Sequence, residues 1–130
     1  MSRVASFGQI SEITNYLYLS GVHVIKSDLI KKRRIVCIVN ATAEESLGQF
    51  CHVPGVEYMK VRVDDSPNSQ ICTHFDSVAD KIKSVQDRGF RTLVHCVAGV
   101  SRSATLCIAY LIKYENMALR DAYYCVKQIL

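Results

Sequence analysis

Thr92-Leu93-Val94-His95-Cys96-Val97-Ala98-Gly99-Val100-Ser101-Arg102-Ser103-Ala104 is the stretch on which the reading of this chain turns. Thr92 to His95 is a short apolar run that reads as a buried strand. Ser103 to Tyr114 is a strongly apolar helical pattern. A loop between such a strand and such a helix turns successive backbone N–H groups, and the positive end of the helix dipole, into one concave space. That space suits a tetrahedral oxyanion. A cysteine at its mouth feels the same field, which favours the thiolate. Arg102, on the first turn, has a planar fork that binds two phosphate oxygens at once, as lysine does not. Gly99 lets the backbone turn with positive φ and come close to a ligand. Ser103 can offer its hydroxyl to the cysteine sulfur when a thiolate has to leave.

Outward from this segment, strands and helices alternate. Ile10 to Ser20 reads as a hairpin turning at Asn15. Ile35 to Val39 is a continuous apolar run that suits a buried strand. Over Val56 to Val63, Met59, Val61 and Val63 alternate with Lys60, Arg62 and Asp64, which predicts one core face and one wet face. Ile71, Phe75, Val78, Ala79, Ile82 and Val85 recur at helical spacing, and Gly89 is placed to end that helix. A last helix is predicted over Leu119 to Leu130, with an apolar stripe of Ala122, Cys125, Val126 and Ile129. The pattern predicts an α/β fold, a central and mostly parallel sheet flanked by helices. Residues 1–130 fit a single domain. The pattern runs to the last residue without a C-cap, so the domain is expected to be truncated at that end and the stripe to be left uncovered. Self-association through the last helix is the corresponding expectation.

About half of the residues are apolar and 22% are charged, the balance of a chain with a real core. The formal charge of +4 is compatible with an anionic substrate. The longest basic run, Lys31-Lys32-Arg33-Arg34, reads as a solvated helix end and loop. A nucleic-acid partner would need a larger basic stripe and a reading module. No signal peptide is read at the N-terminus, no apolar run is long enough to span a bilayer, and residue 2 is serine. Of the six cysteines, several lie inside apolar runs, as at Cys37 and Cys107, where a thiol acts as a small hydrophobe. These features predict a reducing, intracellular setting, cytoplasmic or nuclear, with no membrane partner. Apart from Cys96, the cysteines at 37, 51, 72, 107 and 125 are read as structural. The pairs Cys51-His52, Cys72/His74 and His95-Cys96 lack zinc-like Cys-x2-Cys spacing, so no metal site is predicted.

The Cys-x5-Arg loop with its preceding His95 and following Ser103 resembles the signature of the protein tyrosine phosphatase superfamily. The Ala-Gly-Val-Ser-Arg-Ser-Ala segment looks most like that of the small atypical dual-specificity phosphatases. The likeness extends to Ile-Thr-Asn-Tyr-Leu-Tyr-Leu-Ser at 13–20, Ile-Val-Asn-Ala-Thr at 38–42, Val-Asp-Asp-Ser-Pro at 63–67 and Leu-Ile-Lys-Tyr at 111–114. It implies the protein tyrosine phosphatase-like fold and a metal-independent, cofactor-free phosphatase. Cys96 would be the nucleophile. Arg102 and the loop Val97, Ala98, Gly99, Val100 and Ser101 would bind phosphate, and Ser103 would assist the departing thiolate. The general acid is expected in the Asp64-Asp65 pair, with Asp65 favoured by its place before Ser66-Pro67. His95 would orient and polarise the loop. Asn40 resembles the asparagine that braces the phosphate loop, and it reads equally as a strand-end turn residue.

The expected activity is hydrolysis of phosphotyrosine and phosphoserine/threonine on proteins. Trp is absent, so the tryptophan-bearing acid loop of the larger tyrosine-specific enzymes is not present in these residues. By family, mitogen-activated protein kinases are candidate phosphoprotein substrates. The alternatives are a phosphopeptide-binding pseudophosphatase and a phosphatase of phosphoinositide or RNA. Cys96, Arg102 and Asp65 all being present weighs against the first. The uncharged Val97, Ala98, Val100 and Ser101 weigh against the second.

Overall fold

The computed structural model describes residues 10–21, 26–41, 53–61, 71–96 and 101–129. The expected hairpin comes first, as β1 (Ser11–Thr14) and β2 (Leu17–Gly21). Its turn is closed by the Tyr16 N–H, which donates to Thr14 Oγ1 at 3.1 Å. A short helix α1 (Ser27–Lys32) leads through Arg34, at φ 58°, into β3 (Ile35–Asn40). Then follow β4 (Glu57–Lys60), a 3-10 turn (Ile71–His74), α2 (Phe75–Asp87), β5 (Arg91–Cys96), α3 (Ser101–Tyr114) and α4 (Leu119–Ile129).

The strands form one sheet in the order β1-β2-β5-β3-β4. Pairing is parallel across β2, β5, β3 and β4, and antiparallel only at β1. This is the mostly parallel α/β sheet that the alternating pattern predicts. Side chains alternate across it with period two. Leu19, Val94, Val39 and Met59 face the larger core, beneath α2, α3 and α4. Tyr18, Leu93, Ile38 and Tyr58 face a smaller cluster that includes Ile30 of α1. Both faces are covered, which is why β3 and β5 read as unbroken apolar runs. Each fully buried Leu or Ile contributes about 1.5–3 kcal/mol.

The two ends of the sheet differ. At the N-terminal ends of the parallel strands, Arg91 of β5 ties neighbouring segments together. Its Nε donates to the Asn15 carbonyl at 2.7 Å and its Nη1 to the Arg33 carbonyl at 3.1 Å. At the C-terminal ends, strand register lines up Ser20, His95, Asn40 and Lys60 in one row, with Gly21 opposite Cys96. In parallel α/β sheets this is the edge where ligands bind.

Helix α2 ends as Gly89 predicts. Gly89 sits at φ 83°, its N–H donates to Gln86 O at 2.8 Å, and the Phe90 N–H donates to Val85 O at 3.2 Å. These are the paired bonds of a Schellman cap. Buried Tyr110 of α3 places its hydroxyl 2.6 Å from Gln86 Oε1, locking α3 against the end of α2.

Three expectations need correction. Of the strand expected over Val56–Val63, the described part is regular at Glu57–Lys60, and residues 62 and 63 lie outside the described residues. Val56 precedes it, its N–H turned back to Val53 O, while buried Val61 follows it and donates to Asn40 O. The helix predicted from Ile71 becomes α-helical only at Phe75, after the tighter 3-10 turn. The apolar stripe of the last helix is not left bare. Ala122 and Val126 are buried, and Cys125 and Ile129 pack on the same core, because α4 lies against α3 and β1. The exposed apolar side chains of α4 are instead Leu119, Tyr123 and Tyr124.

Candidate functional site

Cys96 is the last residue of β5 and lies on the large-core face, so its side chain points toward the helices. Helix α3 begins at Ser101 with no acidic residue in its first turn, which leaves the positive end of its dipole uncompensated from within the helix. Arg102 occupies that first turn and is half-buried. Ser103 is fully buried, and its Oγ lies 3.2 Å from Cys96 Sγ, a thiol–hydroxyl hydrogen bond. Cys96 itself has no exposed surface. The fold thus brings Cys96, Arg102 and Ser103 to one place, where a strand runs out and a helix opens. Val97, Ala98, Gly99 and Val100 lie outside the described residues, as do Asp64 and Asp65. The Ser101 side chain also lies outside what the structure describes.

His95, one residue upstream, points to the other face of the sheet. Its imidazole is fully buried, and neither ring nitrogen has a hydrogen bond of normal geometry. Burial pushes its pKa down to about 4, with Lys60 adding to the effect and the nearby Cys96 main chain opposing it. The ring is therefore neutral at physiological pH. Its neighbours in the strand register are Ser20 on β2 and Asn40 on β3, with Lys60 of β4 beyond Asn40. Asn40 is nearly buried at the end of β3, and main-chain bonds hold the junction on both sides: Ala41 N–H to His95 O and Val61 N–H to Asn40 O, each 2.8 Å.

The other thiols separate by environment. Cys37 and Cys107 are buried, and burial pushes the Cys37 thiol up to about 11. Cys107 lies one helical turn beyond Ser103 on the same face of α3. Burial, with Cys96 close enough to add to it, raises its thiol far above the ordinary range. Cys125 is partly buried in the core. Cys72 corrects the structural reading. It lies in the 3-10 turn that precedes α2 and is exposed, unlike Cys37 and Cys107. Cys51 lies outside the described residues. Among the described residues, no three His, Cys, Asp or Glu side chains come together as metal ligands, and no helix is long and apolar enough to cross a membrane.

Reading by sequence missed Ser20, Gly21 and Lys60. Ser20 and Gly21 end an otherwise apolar strand, and a small polar residue at that point was the available signal. Only the register shows that they flank His95 and Cys96.

Comparison with known proteins places these features in context. A family model described as "Dual specificity phosphatase, catalytic domain" matches residues 17–129. Human dual specificity protein phosphatase 14 is 50% identical over 121 residues, which cover 92% of this chain and 60% of that protein. Human dual specificity protein phosphatase 18 is 43% identical over 122 residues, covering 93% of this chain and 63% of that protein. The chain thus spans about three-fifths of the length of these relatives. The crystal structure of human DUSP28 superposes with a TM-score of 0.84 at 24% identity, over 92% of this chain and 80% of that one, a likeness of fold.

Proposed function

The chain belongs to the dual specificity phosphatase catalytic-domain family, and from that premise we propose that it hydrolyses phosphotyrosine and phosphoserine/threonine on proteins through a cysteinyl-phosphate. The observation that carries this reading is the Cys96 Sγ–Ser103 Oγ contact of 3.2 Å at the junction of β5 and α3, with Arg102 on the same first turn.

In the first step the Cys96 thiolate attacks phosphorus in line. The S–P bond forms, the bond from phosphorus to the leaving oxygen breaks, and the carboxylic acid of Asp65 gives its proton to that oxygen. In the second step a water attacks phosphorus while the Asp65 carboxylate takes its proton. The S–P bond breaks, inorganic phosphate leaves, and the Ser103 hydroxyl donates to the departing thiolate. Arg102 and the main-chain amides of residues 97 to 102 hold the three non-bridging oxygens through both steps. His95 and Asn40 brace this loop from the sheet edge. All of these groups are this chain's own, and none of the steps calls on a metal.

Phosphorylated proteins are the substrate class this reading supports, mitogen-activated protein kinases among them. The free thiols at Cys37, Cys72, Cys96, Cys107 and Cys125 suit a reducing, intracellular compartment. Self-association through the last helix would use Leu119, Tyr123 and Tyr124, since the apolar stripe is already covered. The test is hydrolysis of an aryl phosphate and of phosphopeptides in the presence of EDTA. Turnover that survives EDTA and vanishes in Cys96→Ser supports the reading. A folded chain that binds vanadate without turnover overturns it.

A further inference from the structure

Helix α3 is flanked by α2 and α4, and a groove of about 440 Å³ opens where the three meet on the outside of the molecule. Its apolar wall includes Phe75 of α2, Ile108 and Ile112 of α3, and Leu119 of α4. Ile112 and Leu119 are 39% and 66% exposed. The edge of the groove is charged. Lys113 Nζ lies 3.1 Å from Asp76 Oδ1 and 2.7 Å from Asp80 Oδ1, and the Asp76 side chain is 85% exposed. Two carboxylates share one ammonium, so this edge keeps a net negative charge. The proposed phosphatase chemistry uses none of these residues.

The same face carries a ridge of opposite shape and charge. Helix α4 begins at Leu119 in the wall of the groove, with Tyr123 one turn on and Lys127 a turn beyond that. Tyr123 is 48% exposed, and the Lys127 ammonium lies 5.7 Å from the centre of its ring. The exposed charges of α4 are Arg120, Asp121 and Lys127, two cations to one anion. An apolar groove with a negative edge thus adjoins an apolar ridge with a positive end. A surface that holds both is complementary to itself, and it pairs through an isologous two-fold contact, in which each residue meets on the partner what its own counterpart meets in return.

We propose that the occupant of the groove is a second copy of this chain: the Leu119–Tyr123 ridge of each copy lies in the groove of the other, and Lys127 of each meets Asp76 of the other. This rests on the self-association reading above and deepens it, because the α2–α3 groove, and not the last helix alone, receives the partner. It does not depend on the phosphatase chemistry. A half-exposed tyrosine in an apolar groove is the kind of aromatic anchor that carries binding energy, and the charges at the two ends set the register. With few large side chains on each copy, the interface falls at the small end of the range, so the dimer is weak and dependent on concentration.

The experiment is sedimentation equilibrium on residues 1–130, from low to high micromolar concentration, with circular dichroism to confirm folding. Wild type is expected to pass from monomer to dimer. Tyr123→Ser should weaken the dimer at least about tenfold, the scale of an aromatic anchor. Asp76→Lys and Lys127→Asp should each weaken it about three- to thirtyfold, since each change alters two symmetry-related ion pairs. Mixing Asp76→Lys with Lys127→Asp should restore association, because the mixed dimer regains an opposite charge at both contacts. All three side chains are exposed, so the variants are expected to fold. A wild type that stays monomeric throughout overturns the proposal. A dimer that withstands Tyr123→Ser, or a mixture no tighter than its components, overturns it as well, since the contact then lies elsewhere. Aryl phosphate turnover in the same samples keeps the two readings apart: a dimer without turnover counts against the phosphatase and leaves this interface standing.

Discussion

Cys96 and Cys107 are both fully buried, both in the core on the same face of the sheet, and yet their surroundings prepare them for different fates. Cys107 sits inside α3 among apolar side chains, and burial holds it as a thiol. Cys96 sits where a strand ends, beside the Ser103 hydroxyl and facing the opening turn of the helix. Burial alone therefore does not decide what a cysteine does. Its position relative to a helix end and to a hydrogen-bond donor does.

The largest expected effect tests this contrast directly. Cys96→Ser should lower turnover of an aryl phosphate by at least about a thousandfold while circular dichroism stays native. If Cys107→Ser did the same without unfolding, the contrast would be wrong. Next comes the proposed acid. Asp65→Ala should lower turnover by about a hundredfold to ten-thousandfold for poor leaving groups, and Asp64→Ala should not; the reverse result would move the acid to Asp64.

The third effect concerns burial one residue upstream of the proposed nucleophile. His95 in the folded chain has a pKa of about 4, below the ordinary 6.5. Between these values the unfolded chain binds a proton that the folded chain refuses. His95 therefore contributes stability above pH 6.5 that is lost as pH falls toward 4, on the order of 3 kcal/mol in total. Denaturant midpoints measured from pH 7 to pH 4 should fall more steeply in wild type than in His95→Gln. Equal slopes would mean that burial is not what keeps the ring neutral. The smallest effect belongs to Cys107→Ser, which places a hydroxyl in an apolar site. It should cost about 1–3 kcal/mol of stability and leave turnover near wild type.

Much of this was legible from the residues. The hairpin, β3, β5, α2 with its Gly89 cap, α3 and α4 all follow from period and turn chemistry. The contact between Cys96 and Ser103 follows from a strand–loop–helix junction with serine on the first helical turn. What was not legible depends on which strand lies beside which. Ser20 and Gly21 are distant in sequence from His95 and Cys96, and local pattern cannot show that β2 pairs with β5. Cys72 misled because residue type alone does not show which side of a turn faces the core. The stripe on α4 misled because covering it depends on how α4 meets α3 and β1, a tertiary fact.

The Arg91 clamp at the far end of the sheet carries a consequence of its own. One guanidinium bonds to the hairpin turn and to the carbonyl after α1, at the opposite ends of the strands from Cys96. Natural variation at Arg91 would therefore act on the number of intact molecules and leave the speed of each one alone, whereas a change of the Asn15 or Arg33 side chain would keep the main-chain carbonyl that accepts the bond. Arg91 variants would show as altered dosage in a cell, where a modest loss of stability lowers steady-state protein level several-fold. Specific activity, normalised to folded protein, would stay the same.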